Sequence, residues 1–152
     1  MKDHSALIIG SDHAAFPLKE RIKQELVRLG YPVEDVGTHD NSSCDYPVFG
    51  GAVARRVASG EFERGILMCG SGVGMSMVAN RFPGVRAALC AEPLTAALSR
   101  RHNDANILVM GGRMIGETMA LEILTVWLQT AFEGDRHQRR IAMFDRTRPE
   151  AE

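Results

Sequence analysis

No stretch of this 152-residue chain approaches the run of about 18 apolar residues that a membrane-spanning helix needs. Nor is there a basic excess. Eighteen Lys and Arg stand against nineteen Asp and Glu, which argues against a nucleic-acid surface. Cysteine is scarce: Cys44, Cys69 and Cys90 are an odd number with no CxxC or zinc-ligand spacing, so neither a disulfide framework nor a structural zinc site is expected. At least one thiol is left for chemistry. The first residues lead into a strand-like run without the apolar core of a signal peptide, and the expectation is a cytoplasmic protein. Internal repeats, low-complexity tracts and linkers are also missing. The chain reads as one domain, 1–152, long enough for a real core.

What is present is an alternation of short apolar runs and longer segments of helical period, the signature of successive βαβ units. Strands are expected at 6–10, 31–36, 65–69, 85–90 and 107–110. Helices are expected at 17–29, 45–59, 75–80, 92–101 and 116–132, with a further helical segment over about 133–145. Pro17 suits a first turn and Gly30 a helix end. Val48, Ala52, Val53 and Val57 are read as the inner face of the second helix, and Met119, Ile123, Leu124 and Trp127 mark the last long one. Five strands with intervening helices define an α/β fold, a three-layer αβα sandwich around a Rossmann-like, doubly wound parallel sheet. Ligands of such folds bind beyond the carboxyl ends of the strands. That makes candidates of Ser11, Asp12 and His13; Gly37, Thr38 and His39; Cys69 to Gly74; Glu92; and Gly111, Gly112 and Arg113.

The densest signal is the apolar run 65–68 that empties into Cys69-Gly70-Ser71-Gly72-Val73-Gly74. A glycine turn after a buried strand aims backbone N–H groups at one spot, with a thiol at its rim. A tight strand-to-helix connection would also use glycine. The GxGxG spacing is not a dinucleotide fingerprint, the Lys-Ser/Thr of a P-loop is missing, and Met75 stands where a cysteine phosphatase needs arginine. What remains suits removing a proton from carbon and holding the enediolate that results. Asp12 serves equally as a helix cap, and Cys90 reads as core. His102, in Arg100-Arg101-His102-Asn103-Asp104, is the better acid/base candidate, while Arg100 and Arg101 suit a helix carboxyl end. Residues 136–148 hold Arg136, Arg139, Arg140, Arg146 and Arg148 against Asp145 alone. Arg136 and Arg140 share a helical face and can grip a small anion, whereas Arg146 and Arg148 read as a solvated tail.

The segments GSDHAAFPLK (10–19), DVGTHD (35–40), DYP (45–47), CGSGVGMSMVANRFPGVRAALCAEP (69–93), SRRHNDANILVMGGRMIG (99–116) and EGDRHQRR (133–140) together resemble type B ribose-5-phosphate isomerases, a group that includes galactose- and allose-6-phosphate isomerases. The resemblance implies aldose–ketose isomerisation of ribose 5-phosphate without metal or organic cofactor. It assigns Cys69 as the base between C1 and C2, the amides of Gly70, Gly72, Val73 and Gly74 as the enediolate pocket, and Ser71 with His102 to ring opening. Asp12, His13, Tyr46, Asn103 and Asp104 take substrate-shaping positions, and Arg113, Arg136 and Arg140 the phosphate grip, with His13 as a further contributor. Met75 replaces the glutamate of the branch that lacks the cysteine, so the cysteine branch is implied. Leu94 departs from a common aromatic. The resemblance also implies a homodimer with shared active sites, the 133–145 segment reaching the second subunit, and a tetramer as the further assembly. Alternative readings are another sugar phosphate of four or six carbons, or a non-catalytic sugar-phosphate-binding module.

Overall fold

The computed structural model describes residues 4–147; Arg148, read as tail, lies outside them. Strands β1 (Leu7–Ser11), β2 (Val33–Asp35), β3 (Arg64–Cys69), β4 (Ala87–Leu89) and β5 (Ile107–Gly111) alternate with helices α1 (Phe16–Arg28), α2 (Tyr46–Ala58), α3 (Val73–Ala79), α4 (Pro93–Asn103) and α5 (Glu117–Gln129). Helix α6 (Asp135–Ile141) and a 3-10 turn at Phe144–Thr147 follow. All pairings are parallel and the strand order is β2-β1-β3-β5-β4.

Alternate strand residues point to opposite faces, and each face has its own core. Leu7, Ile9, Ile66, Met68, Leu108 and Met110 pack on one side against Ile22, Leu26, Ala96, Ile123, Leu124 and Trp127. Ile8, Leu67, Cys69, Ile107 and Val109 pack on the other against Val53, Ala54, Val57, Met75 and Ala79. Helices α1, α4 and α5 therefore cover one face, and α2 and α3 the other. The chain steps outward from β1 to β2, then crosses back to β3 on β1's far side. The crevice between the carboxyl ends of β1 and β3 is thus a topological switch point.

Several boundaries differ from the sequence reading. The edge strands are shorter than expected, β2 being three residues and β4 also three. An edge strand has a ladder on one side only, and on β4's outer side the Asn80 amide pairs with Ala87 N–H and C=O, both at 2.9 Å. Helix α2 buries Gly50, Val53, Ala54 and Val57 rather than Val48, which is 66% exposed. Its apolar stripe is rotated because small Gly50 and Ala54 allow the close approach. The same rotation in α5 leaves Met119 exposed and buries Ala120. Helix α3 starts two residues early, on Gly72, and the expected 133–145 helix is confined to α6.

Candidate active site

Backbone hydrogen bonds stitch together the loops that leave β1, β3 and β5. Asp12 N–H donates to Met68 O (3.2 Å), Gly112 N–H to Cys69 O (2.8 Å) and Arg113 N–H to Gly70 O (2.9 Å). This makes one rigid rim around Cys69. The thiol, 5% exposed, belongs to the core on the α2/α3 face, and its Sγ accepts the Gly72 N–H at 3.2 Å. Ser71 lies at the surface, where its Oγ accepts the Val73 N–H at 3.2 Å.

Gly72 has φ 79°, and a Cβ there would sit 2.4 Å from Leu89 Cδ1 and 3.0 Å from the Met110 carbonyl carbon. Only glycine combines that dihedral with that clearance. Gly74 is needed for a different reason: the Tyr46 ring lies so close that a Cβ would be 2.6 Å from Tyr46 Cζ. Tyr46, on the first turn of α2, thereby walls the turn from one side. Arg113 walls it from another, its Cδ lying 3.6 Å from where a Gly70 Cβ would be.

Asp12 is buried and its Oδ1 accepts the Ala15 N–H at 3.1 Å; since Ala15 is itself the N-cap of α1, Asp12 closes the turn ahead of the helix rather than capping it. His13 is held by Cys44, whose N–H donates to Nδ1 at 3.2 Å with Sγ 3.8 Å away. Since Nδ1 accepts, the neutral ring carries its proton on Nε2. Cys90 is buried, as the sequence suggested, and burial, aided by the Glu92 charge and opposed by a Ser99 hydrogen bond, pushes its thiol up to about 11.

Beneath the rim, Lys19 is fully buried. Its Nζ donates to Asp35 Oδ1 (2.6 Å), Asp35 Oδ2 (2.7 Å) and Thr38 O (2.6 Å), while Lys23 donates to the same carboxylate at 2.6 Å. Burial opposes the Asp35 charge, but the bonds from Lys19, Lys23 and Gly37 N–H outweigh it and hold the carboxyl below its ordinary range. The network anchors the loop after β2, including the cis peptide Gly37–Thr38. A lysine at helical spacing gives no hint of burial, so the sequence alone does not reveal it.

His102, Asn103, Asp104, Arg136 and Arg140 lie elsewhere. Helix α4 begins after β4 and runs back along the sheet for about 16 Å. It ends beside the amino end of β3, where Asn106 O accepts the Gly65 N–H at 2.9 Å. Asp104 pairs there with Arg100 (2.8 Å) and Arg86 (3.4 Å). Glu133 N–H donates to Arg101 O at 3.1 Å, which brings α6 and its arginines onto the same corner. The His102 ring stacks on His137, centroids 4.4 Å apart. One chain therefore carries two polar groupings at opposite ends of its strands, Cys69 with His13, Tyr46, Ser71 and Arg113 at the carboxyl end and His102 with Arg136 and Arg140 at the amino end. His137 and Glu133, which the sequence did not single out, belong to the second.

A buried thiol that accepts a backbone N–H of its own glycine turn thus lies at the switch point of a parallel α/β sheet, where ligands of such folds bind. Residues 7–144 match the family described as Ribose/Galactose Isomerase, and the chain belongs to that family. Ribose-5-phosphate isomerase B of Escherichia coli K12 is 47% identical over 135 residues, covering 89% of this chain and 91% of that one. The solved structure of ribose-5-phosphate isomerase B from Mycoplasma genitalium with bound ribulose-5-phosphate superposes with TM-score 0.91 at 38% identity, covering 96% and 97% of the two chains. A 4-deoxy-4-sulfo-D-erythrose isomerase of Clostridium sp. (strain MSTE9) is 45% identical over 128 residues, 83% of this chain and 80% of that one.

Proposed function

We propose that the chain is a cytoplasmic aldose–ketose isomerase that interconverts D-ribose 5-phosphate and D-ribulose 5-phosphate. The observation that carries the reading is the Cys69 sulfur held at the mouth of the Gly70–Gly74 turn, with a backbone donor already on it. A thiolate is the form of cysteine that takes a proton, and the same turn offers amides to the oxygen on which charge develops. In this scheme Ser71 and His102 shuttle the anomeric hydroxyl proton to the ring oxygen and open the furanose. Cys69 then takes the proton from C2, electrons collect on O1, and Gly70, Gly72, Val73 and Gly74 hold the enediolate. Transfer of a proton from O2 to O1 and return of the Cys69 proton to C1 complete the ketose. Asp12, His13, Tyr46, Asn103 and Asp104 shape the hydroxyl-binding walls, and Arg113, Arg136 and Arg140 grip the phosphate.

The two separated groupings are complementary: one carries the base and Ser71 without the imidazole that acts with it, the other carries His102 and two arginines. We take this as support for a homodimer in which the α4–α6 corner of one subunit completes the Cys69 rim of the other. Incubation with ribose 5-phosphate in deuterated water tests the reaction. Ribulose 5-phosphate should form with deuterium at the exchanged carbon, and Cys69→Ala should do neither. Conversion of a four-carbon sulfosugar but not of ribose 5-phosphate would move the chain to the substrate of its Clostridium relative. Ligand-induced stabilisation without exchange would make it a binding module.

A further inference from the structure

We propose that His102, Glu133 and His137 form a binding site for one divalent transition metal of the zinc type. One ligand atom from each lies within 4.8 Å of the others. His137 is 6% exposed, yet its Nε2 makes no hydrogen bond; the nearest acidic atom, Glu133 Oε2, is 3.5 Å away. A buried ring nitrogen aimed at a carboxylate and beside a second imidazole is an incomplete coordination sphere. Tetrahedral zinc with bonds of about 2.0–2.2 Å places its ligand atoms roughly 3.3–3.6 Å apart. The His137–Glu133 pair already has that spacing, and a turn of the half-buried His102 ring brings in the third nitrogen. The frame is held by the Glu133 N–H bond to Arg101 O and by the His137 N–H bond to Gly134 O at 3.0 Å.

Two imidazoles and one carboxylate select zinc, cobalt or nickel over magnesium or calcium, which demand oxygen. The surrounding charge reinforces that choice. Arg136 and Arg140 repel a cation held by electrostatics alone, whereas a metal bonded to nitrogen needs only neutral rings. The fourth position is open to water. If His102 opens the sugar ring, as proposed above, metal binding removes that imidazole from catalysis and inhibits the enzyme; the site itself does not depend on that reading.

The test is titration of the metal-stripped full chain with cobalt(II), followed by visible absorption, and with zinc(II), followed by calorimetry. One equivalent per chain is expected, with the visible bands of four-coordinate cobalt and no near-ultraviolet thiolate band. Glu133→Gln should weaken binding by roughly tenfold or more, since loss of outer-shell partners alone has effects of that size. The His13–Cys44 pair is the competing site, and Cys44→Ser should change nothing. A thiolate band lost in Cys44→Ser, an affinity unmoved by Glu133→Gln, or no binding at all would overturn the proposal. Zinc should slow turnover over the same concentration range in which it binds. Binding without loss of turnover would sustain the site and count against His102 as ring opener.

Discussion

The Gly72 N–H donates to Cys69 Sγ across 3.2 Å, so the glycine turn after β3 itself fixes the sulfur. Cys69→Ala removes the proposed base and leaves the turn. C2 proton exchange should fall at least about a hundredfold, the scale of a lost general base, while the far-ultraviolet circular dichroism is unchanged. Near-normal exchange would remove Cys69 from the mechanism.

Gly72 and Gly84 share φ 79°, but nothing lies within 4 Å of a Cβ at Gly84. Alanine at either position should cost roughly 1–2 kcal/mol for the left-handed backbone. Gly72→Ala should in addition collapse turnover, because its Cβ meets Leu89 and the Met110 backbone. Gly84→Ala should keep normal activity, and the comparison of melting and turnover for the two variants checks both statements.

Lys19→Met should destabilise the fold by about 3 kcal/mol, near the low end for breaking a buried pair, because Lys23 and Gly37 N–H remain on Asp35. The pH dependence has a definite sign. The folded Asp35 pKa lies below its unfolded value, so the network's contribution is complete above the ordinary carboxylate range and is lost as pH falls through the folded pKa. Denaturant midpoints measured from pH 7 downward should converge for wild type and Lys19→Met at the acid end.

The proposed sharing of the site between two subunits makes a prediction about mixtures. Cys69→Ala and His102→Ala homodimers should both be inactive. Unfolded together and refolded, they should recover about a quarter of wild-type activity, since half the dimers are mixed and each has one intact site. Recovery of none would place both residues in a site within one subunit.

Cys90 is 1% exposed and its thiol is pushed up to about 11, whereas Cys44 is half-buried in the loop beside His13. Iodoacetamide at pH 8 should label Cys44 in the native protein and spare Cys90 until denaturant is added. Peptide mass mapping distinguishes them.

Much of this architecture was readable because it follows from period and punctuation. Apolar runs of strand length separated by helical spacing dictate a parallel sheet, and glycines after β3 dictate a tight turn. Helix faces were harder. Val48 and Val53 look alike in a hydrophobic pattern, and the buried choice depends on small residues such as Gly50, where a Cβ would meet Met75 and Val78 and which thereby lets α2 close on α3.

By itself the sequence determined the fold class, the thiol-bearing glycine turn and the family, because each rests on local residue order and the backbone geometry it imposes. Only the tertiary structure decided that Lys19 is an internal cation, that Cys44 orients His13, and that His102 stacks on His137 away from Cys69. Those are contacts between residues distant in the chain, set by how helices cross the sheet and where they end, and no local pattern records them.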